Sequence, residues 1–275
     1  TDPARLAAAT EAALVEVERI EAACSTWRPE SIWSALNRAE GRPVPMEPEW
    51  LALLENMKVW SVRTGGAFDP ALMPLLETWD LRGRGRTPSS RELVLARRAS
   101  GARHLLLDPV AGTAKLEHLD AGVEEGGFLK GYALDRAVLR VKERGVETGL
   151  FDFGGQLAAV GETTVAIATP GDRQLPRLSL RLRNASLSTS GTSERGRHIL
   201  DPRTGRPSPA WGSASVVMPS ALEADLLSTA LYVMGPARGL RWARRRHLPA
   251  CFLLNDGRVR MTREFRGLLT TKEST

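Results

Sequence analysis

The residues best placed for chemistry lie in SALEADLLSTALYVMG, Ser220 to Gly235, where Asp225 and Thr229 stand four residues apart. Ser220 and Glu223 have capping-box spacing, so a helix is expected to open there. Leu222, Leu226, Ala230 and Val233 mark its apolar stripe. At i and i+4 a carboxylate and a hydroxyl can present their oxygens to one place, and such oxygens suit a hard cation such as magnesium. The pair also has an ordinary reading, in which the Thr hydroxyl bonds back to a carbonyl and the Asp sits in water. Three further segments carry reactive types. GGFLKG (residues 126–131) offers free backbone and one cation, Lys130, ahead of a helix N-terminus, a favourable place for phosphate. His198, one of four histidines, can exchange a proton near neutral pH or serve as a core residue. STSG at Ser188 to Gly191 reads as a polar turn.

Elements that would position these groups follow from periodicity. Helices are expected over residues 4–24, near Ser31 to Asn37, over Pro48 to Thr64 with a stop at Gly65-Gly66, and after GGFLKG as far as Gly145. Pro70 and Pro74 imply irregular backbone around Asp69, and the basic stretch 82–90 reads as a loop. Residues 103–118 suggest two short strands about a turn from Asp108 to Gly112, and GLFDFGG and TVAIATP read as strands. Leu178 to Leu187 alternates as one half-buried strand, SASVVMP leads into the Ser220 helix, and a hairpin closes around Asn255-Asp256-Gly257. Helices mixed with antiparallel strands, without a βαβ rhythm, make the class α+β, and no linker or repeat divides residues 1–275, so one compact domain is expected.

The 275 residues are 42% hydrophobic and 25% charged, as in globular proteins. A net charge of +6 favours an anionic partner. The excess clusters at Leu81 to Arg91 and Arg241 to His247, and a solvated basic face is the default for both. Few aromatics and no helix-turn-helix or RNP-like pattern argue against specific nucleic-acid binding. Two cysteines, Cys24 and Cys251, without a CxxC argue against zinc and iron–sulfur sites. No apolar run reaches transmembrane length. The chain opens at Thr1 rather than Met, so its natural start is expected to be trimmed.

Taken together, STWRPESIWSALNR, TGGAFDPALMPLLETW, GGFLKGYALDRA, FDFGGQL, STSG, HILDPRTGRP and EADLLSTALYVMG, in this order over about residues 25 to 235, resemble the ApbE family of FAD:protein FMN transferases. The resemblance implies an ApbE-like, T-fold-related architecture and a magnesium-dependent transfer of FMN from FAD to a Thr or Ser hydroxyl of an acceptor protein, releasing AMP. It implies a magnesium ion held by Asp225, Thr229 and the carbonyl of Gly127. Lys130, Glu124, Ala67, Phe68, Asp69, Trp27 and Ile199 then correspond to the FAD contacts, with His198 as general base or acceptor-positioning group. The implied acceptor is an electron-transfer subunit, and the implied compartment is the periplasm or the outer side of the cytoplasmic membrane, with peripheral or lipid-anchored association. The sequence itself leaves a cytoplasmic location open.

The chain departs from the family pattern in Glu124, where Asp is usual, in the bulkier Leu129, and in lacking the family's N-terminal Met-Gly-Thr strand. Those departures keep two other functions in view: FAD cleavage to FMN and AMP with water as acceptor, and FAD binding without turnover.

Overall fold

Caps and prolines set where the elements begin. The computed structural model describes residues 2–191 and 198–270. Its contacts group into two units interleaved along the chain. We call them the helical unit (Ile20–Gly127 with Leu200–Ser208) and the sheet unit (Thr1–Arg19, Phe128–Ile199 and Pro209–Thr275).

Helix α1 (Pro3–Cys24) supplies residues to both. In the helical unit, α2 (Ile32–Asn37) is capped by Ser31, whose hydroxyl accepts from the Ser34 N–H at 3.1 Å. A two-residue strand β1 (Val44–Pro45) precedes α3 (Pro48–Arg63), which starts on a proline at its first position. Trp50, Leu54, Met57 and Ser61 bury one face of α3, and the helix stops where Gly65 (φ 62°) and Gly66 (φ 71°) take left-handed backbone. Pro74 does not break the chain as expected. It sits in the first turn of α4 (Met73–Thr78), where its missing N–H would have had no helical partner. The expected loop ends at α5 (Ser90–Ala99), opened by a reciprocal capping box between Ser89 and Glu92. Strands β2 (Leu105–Asp108) and β3 (Thr113–Leu116) form the expected hairpin, and β1 adds to give the order β1-β3-β2.

The sheet unit begins with α6 (Leu129–Glu143), followed by β4 (Gly149–Phe153), β5 (Gln156–Val160), β6 (Glu162–Thr169), β7 (Asp172–Arg183) and β8 (Ser186–Gly191). The strand expected over Leu178 to Leu187 is therefore two strands. Asn184 (φ 46°) breaks it, and its side-chain oxygen accepts from the Gly161 N–H at 3.0 Å. STSG, expected as a turn, is the end of β8. A small hairpin, β9 (Leu200–Asp201) and β10 (Arg206–Pro207), belongs to the helical unit. The chain closes with β11 (Gly212–Met218), α7 (Ala221–Arg244), β12 (Ala250–Leu254), β13 (Val259–Met261) and α8 (Arg263–Arg266). Helix α7 kinks at Gly235 (φ 76°, ψ 166°), and Pro236 opens its second limb.

Six strands pair antiparallel in the order β13-β12-β11-β8-β5-β4, and β6 with β7 makes a separate ribbon. Register sorts the two faces of the sheet. Leu187, Val217, Cys251 and Leu253 pack with Val165, Ile167, Leu178, Leu180 and Leu182 of the ribbon. The alternate residues of the same strands, Ser188 and Ser190, turn to α7, where their hydroxyls meet Ser228. Each leucine so buried contributes about 1.5–3 kcal/mol. On α1 and α6, Ala9, Ala13, Ala137 and Val141 form a satellite core. Beside it, the buried carboxylate of Glu16 bonds Arg19 (2.9 Å), Arg136 (3.1 Å) and Arg140 (3.3 Å).

Candidate functional site

In the sheet unit, Asp225 is 4% exposed on the second turn of α7, and its Oδ2 accepts the Gly131 N–H at 3.0 Å. That N–H belongs to the first turn of α6, where helix geometry leaves it without an internal acceptor. Asp135 returns the arrangement. Its carboxylate accepts from the Ser220 hydroxyl (2.6 Å), the Ala221 N–H (2.6 Å) and the Leu222 N–H (3.0 Å), capping α7. The two helices thus cap each other through one Asp apiece. They can do so because residue 131 is a glycine: a Cβ there would lie 2.7 Å from the Leu222 Cα and closer still to the Ala221 carbonyl oxygen.

Around Asp225 gather hydroxyls. Ser228 Oγ donates to the Asp225 carbonyl (2.9 Å), and Ser190 Oγ stands 2.8 Å from Ser228 Oγ and 3.2 Å from Thr229 Oγ1. Ser188 Oγ lies 3.2 Å from Ser228 Oγ. Among the described residues no group of three or more His, Cys, Asp or Glu could hold a metal. The Asp225 carboxylate and the Thr229 hydroxyl are hard oxygen donors, which suit an ion such as magnesium that also takes a substrate's phosphates, and do not suit zinc. Lys130 is exposed on the first turn of α6. Ile199 is buried at 9% exposure and His198 is half-buried beside it.

A second cluster occupies the helical unit. Arg82 reaches Glu124 (3.6 Å) and Glu125 (3.7 Å), donates to the Thr26 hydroxyl (2.6 Å) and lies 4.5 Å from the ring centroid of Trp27. The Thr26 hydroxyl donates in turn to the Glu125 carboxylate at 2.5 Å, and the Thr26 N–H donates to the same carboxylate at 3.0 Å. Burial and the neighbouring Glu125 charge push the Glu124 carboxyl up to about 7, against the pull of Arg82. Trp27 remains 62% exposed, an open aromatic face flanked by a guanidinium. The basic segment around Arg82, expected as a solvated face, is thus partly turned inward onto carboxylates.

Ala67 and Phe68 are 1% and 3% exposed, with the Phe68 N–H donating to Thr64 Oγ1 at 3.2 Å. The Asp69 carboxylate accepts from the Ser61 hydroxyl (2.9 Å), the Ala71 N–H (2.9 Å) and the Ala102 N–H (3.1 Å). Burial holds it above the usual carboxylate range. Asp69 therefore ties three segments of its unit together. Gly127 is the last residue of the helical unit and is followed directly by the α6 cap, Phe128.

The structure links Thr229 through Ser190 and Ser228 to the main-chain carbonyl of Asp225, whose carboxylate turns to the Gly131 N–H, and it sets Trp27 and Glu124 around one arginine. Arg82, Glu125, Asp135, Ser190 and Ser228 were not singled out by sequence. For Asp135 the signal was present: with Gly131 and the Ser220 cap it repeats the i, i+4 spacing that marks Asp225 and Thr229. A shallow groove of about 670 Å³ along α1, lined by Leu6, Thr10 and Leu14 among others, contains none of these residues.

Residues 3–252 match the model of the ApbE family. A Treponema pallidum protein named FAD:protein FMN transferase is 31% identical over 93% of this chain and 81% of its own length. The crystal structure of the flavinyl transferase ApbE of Pseudomonas stutzeri superposes with a TM-score of 0.83 at 30% identity, covering 95% of this chain and 89% of that one. The ApbE protein of Thermotoga maritima gives a TM-score of 0.90 at 25% identity, over 98% of this chain and 93% of that one.

Proposed function

The chain belongs to the ApbE family, and from that premise we propose that it is an FAD:protein FMN transferase that uses magnesium, labels a Thr or Ser hydroxyl of an acceptor protein and releases AMP. The observation that carries the finer reading is the buried Asp225 carboxylate on the same helix, one turn before Thr229, whose hydroxyl joins those of Ser190 and Ser228. Asp225 and Thr229 would hold the magnesium. Bound there, the ion supplies positive charge to phosphate oxygens as a Lewis acid.

The remaining work falls to the chain's own residues. Lys130 supplies an exposed cation at a helix N-terminus, a setting that favours a diphosphate. Trp27 offers its open ring to an aromatic portion of the dinucleotide. Glu124, Ala67, Phe68, Asp69 and Ile199 complete the proposed FAD contacts. His198 takes the acceptor hydroxyl's proton at an imidazole nitrogen. The freed oxygen bonds the FMN phosphorus, the bridging P–O bond breaks, and AMP departs with the electron pair. Such a transfer depends mainly on placement and charge neutralisation.

The test is incubation of the purified chain with FAD, magnesium chloride and a candidate acceptor protein. Expected are in-gel flavin fluorescence on the acceptor and an equal amount of AMP by chromatography. AMP with no labelled protein would replace transfer by hydrolysis, and tightly bound FAD with neither product would leave a binding protein.

A further inference from the structure

The second limb of α7 and the turn that follows it carry Arg238, Arg241, Arg244, Arg245 and Arg246 within nine residues, all exposed. Among the described residues none of the five pairs with a carboxylate. The nearby acid Glu264 is engaged by His247 at 3.2 Å. Two of the arginines, Arg241 and Arg244, lie in the helix's last turn, where cations offset the dipole. Arg245, the C-cap, shares that role, whereas Arg238 stands before the last turn and Arg246 after the cap. Arg246 is instead laid over Trp242, its Cζ 3.9 Å from the ring centroid.

We propose that this limb is the docking surface for the acceptor polypeptide, which it recognises through an acidic face. The inference rests on the transferase reading, because FMN transfer to a protein requires a macromolecular partner to be held while its hydroxyl reacts. Guanidinium forks match carboxylates bidentately, and a Trp kept flat by Arg belongs to the residue types that concentrate binding energy at protein interfaces. Other polyanions fit less well. Along residues 236–248 no large hydrophobic side chain is more than partly exposed, so the limb itself offers little apolar surface to a bilayer. The sequence carries no helix-turn-helix or RNP-like pattern, which counts against a nucleic acid.

Two synthetic peptides test the surface. They share a central threonine, flanked in one by aspartates and in the other by asparagines. The native chain is expected to bind the aspartate peptide about tenfold more tightly at low salt, the preference fading above 0.1 M as charges are screened. Arg241→Gln/Arg245→Gln/Arg246→Gln should lose that preference with an unchanged thermal midpoint, and its kcat/KM for the aspartate peptide should fall about tenfold while that for the asparagine peptide holds. Equal binding of the aspartate peptide by native and triple-variant chains overturns the proposal. So does tighter binding of phosphatidylglycerol vesicles, or of a single-stranded oligonucleotide, than of the aspartate peptide. Arginine-dependent binding with neither peptide labelled would uphold the surface and count against the transferase reading alone.

Discussion

Asp225 has two tasks, and a pair of substitutions separates them. Its carboxylate satisfies the Gly131 N–H, and it is proposed to bind magnesium. Asparagine keeps a side-chain oxygen for the N–H but gives up the charge that a hard cation needs. Asp225→Asn should therefore melt close to the native chain, whereas Asp225→Ala should lose about 1–2 kcal/mol through the vacated cap. Magnesium should raise the native melting temperature and leave both variants unmoved, a readout that does not depend on turnover. A native-sized magnesium shift in Asp225→Asn would remove this residue from the metal site. Sequence spacing revealed the Asp225 and Thr229 pair because both oxygens sit on one helix. It could not reveal Arg82, whose partners Thr26, Glu124 and Glu125 lie far away in sequence. A basic loop gives no local sign of which arginine turns inward.

Between elements, the crossing of α6 over α7 is the feature on which the hydroxyl network depends. Gly131→Ala would place a methyl against the backbone of Ala221 and Leu222, which cannot rotate away as a side chain could. The variant should lose about 1–3 kcal/mol in urea unfolding, and crowding should also weaken the Asp225 bond. Asp135→Ala leaves the glycine contact intact but removes three charge-assisted bonds at the α7 N-terminus, and should cost about 2 kcal/mol. If either variant unfolds at the native midpoint, the reciprocal capping is not what holds the helices. Helix starts were the most legible elements, since Ser220 and Pro48 announce themselves by type. Helix α5 escaped notice although Ser89 and Glu92 have the same capping spacing, because the basic residues around it read as loop. The break between β7 and β8 was hidden for a different reason: alternation runs through Asn184, and only its φ of 46° ends the strand. The order of six strands in the sheet has no sequence marker at all, because non-adjacent pairings such as β8 with β11 are decided by packing.

At the scale of the whole chain, two carboxylates in different units pull stability in opposite directions with pH. Glu16, in the sheet unit, is held down to about 2 first by its bond to Arg19 and then by Arg136 and Arg140. Unfolded, it would titrate near 4.5, so between those values the unfolded chain binds more protons than the native one, and stability falls as pH drops from about 4.5 towards 2. Glu124, in the helical unit, is raised to about 7 by burial and by Glu125. Between 4.5 and 7 the native form keeps a proton that the unfolded form has lost, so stability falls as pH climbs through that window. Each shift corresponds to on the order of 1–3 kcal/mol once relaxation is allowed for. Glu16→Gln should accordingly weaken the protein at pH 7, with the deficit closing as pH approaches 2. Glu124→Gln should leave stability at pH 4.5 nearly unchanged and raise it at pH 8, because glutamine fills the site without an ionisation that burial opposes. Urea midpoints at half-unit intervals from pH 2 to pH 8 would show the Glu16→Gln curve rejoining the native one below about pH 4.5 and the Glu124→Gln curve leaving it above. Parallel curves for the native chain and Glu124→Gln between pH 5 and 8 would mean that Arg82 already keeps Glu124 ionised in the folded state.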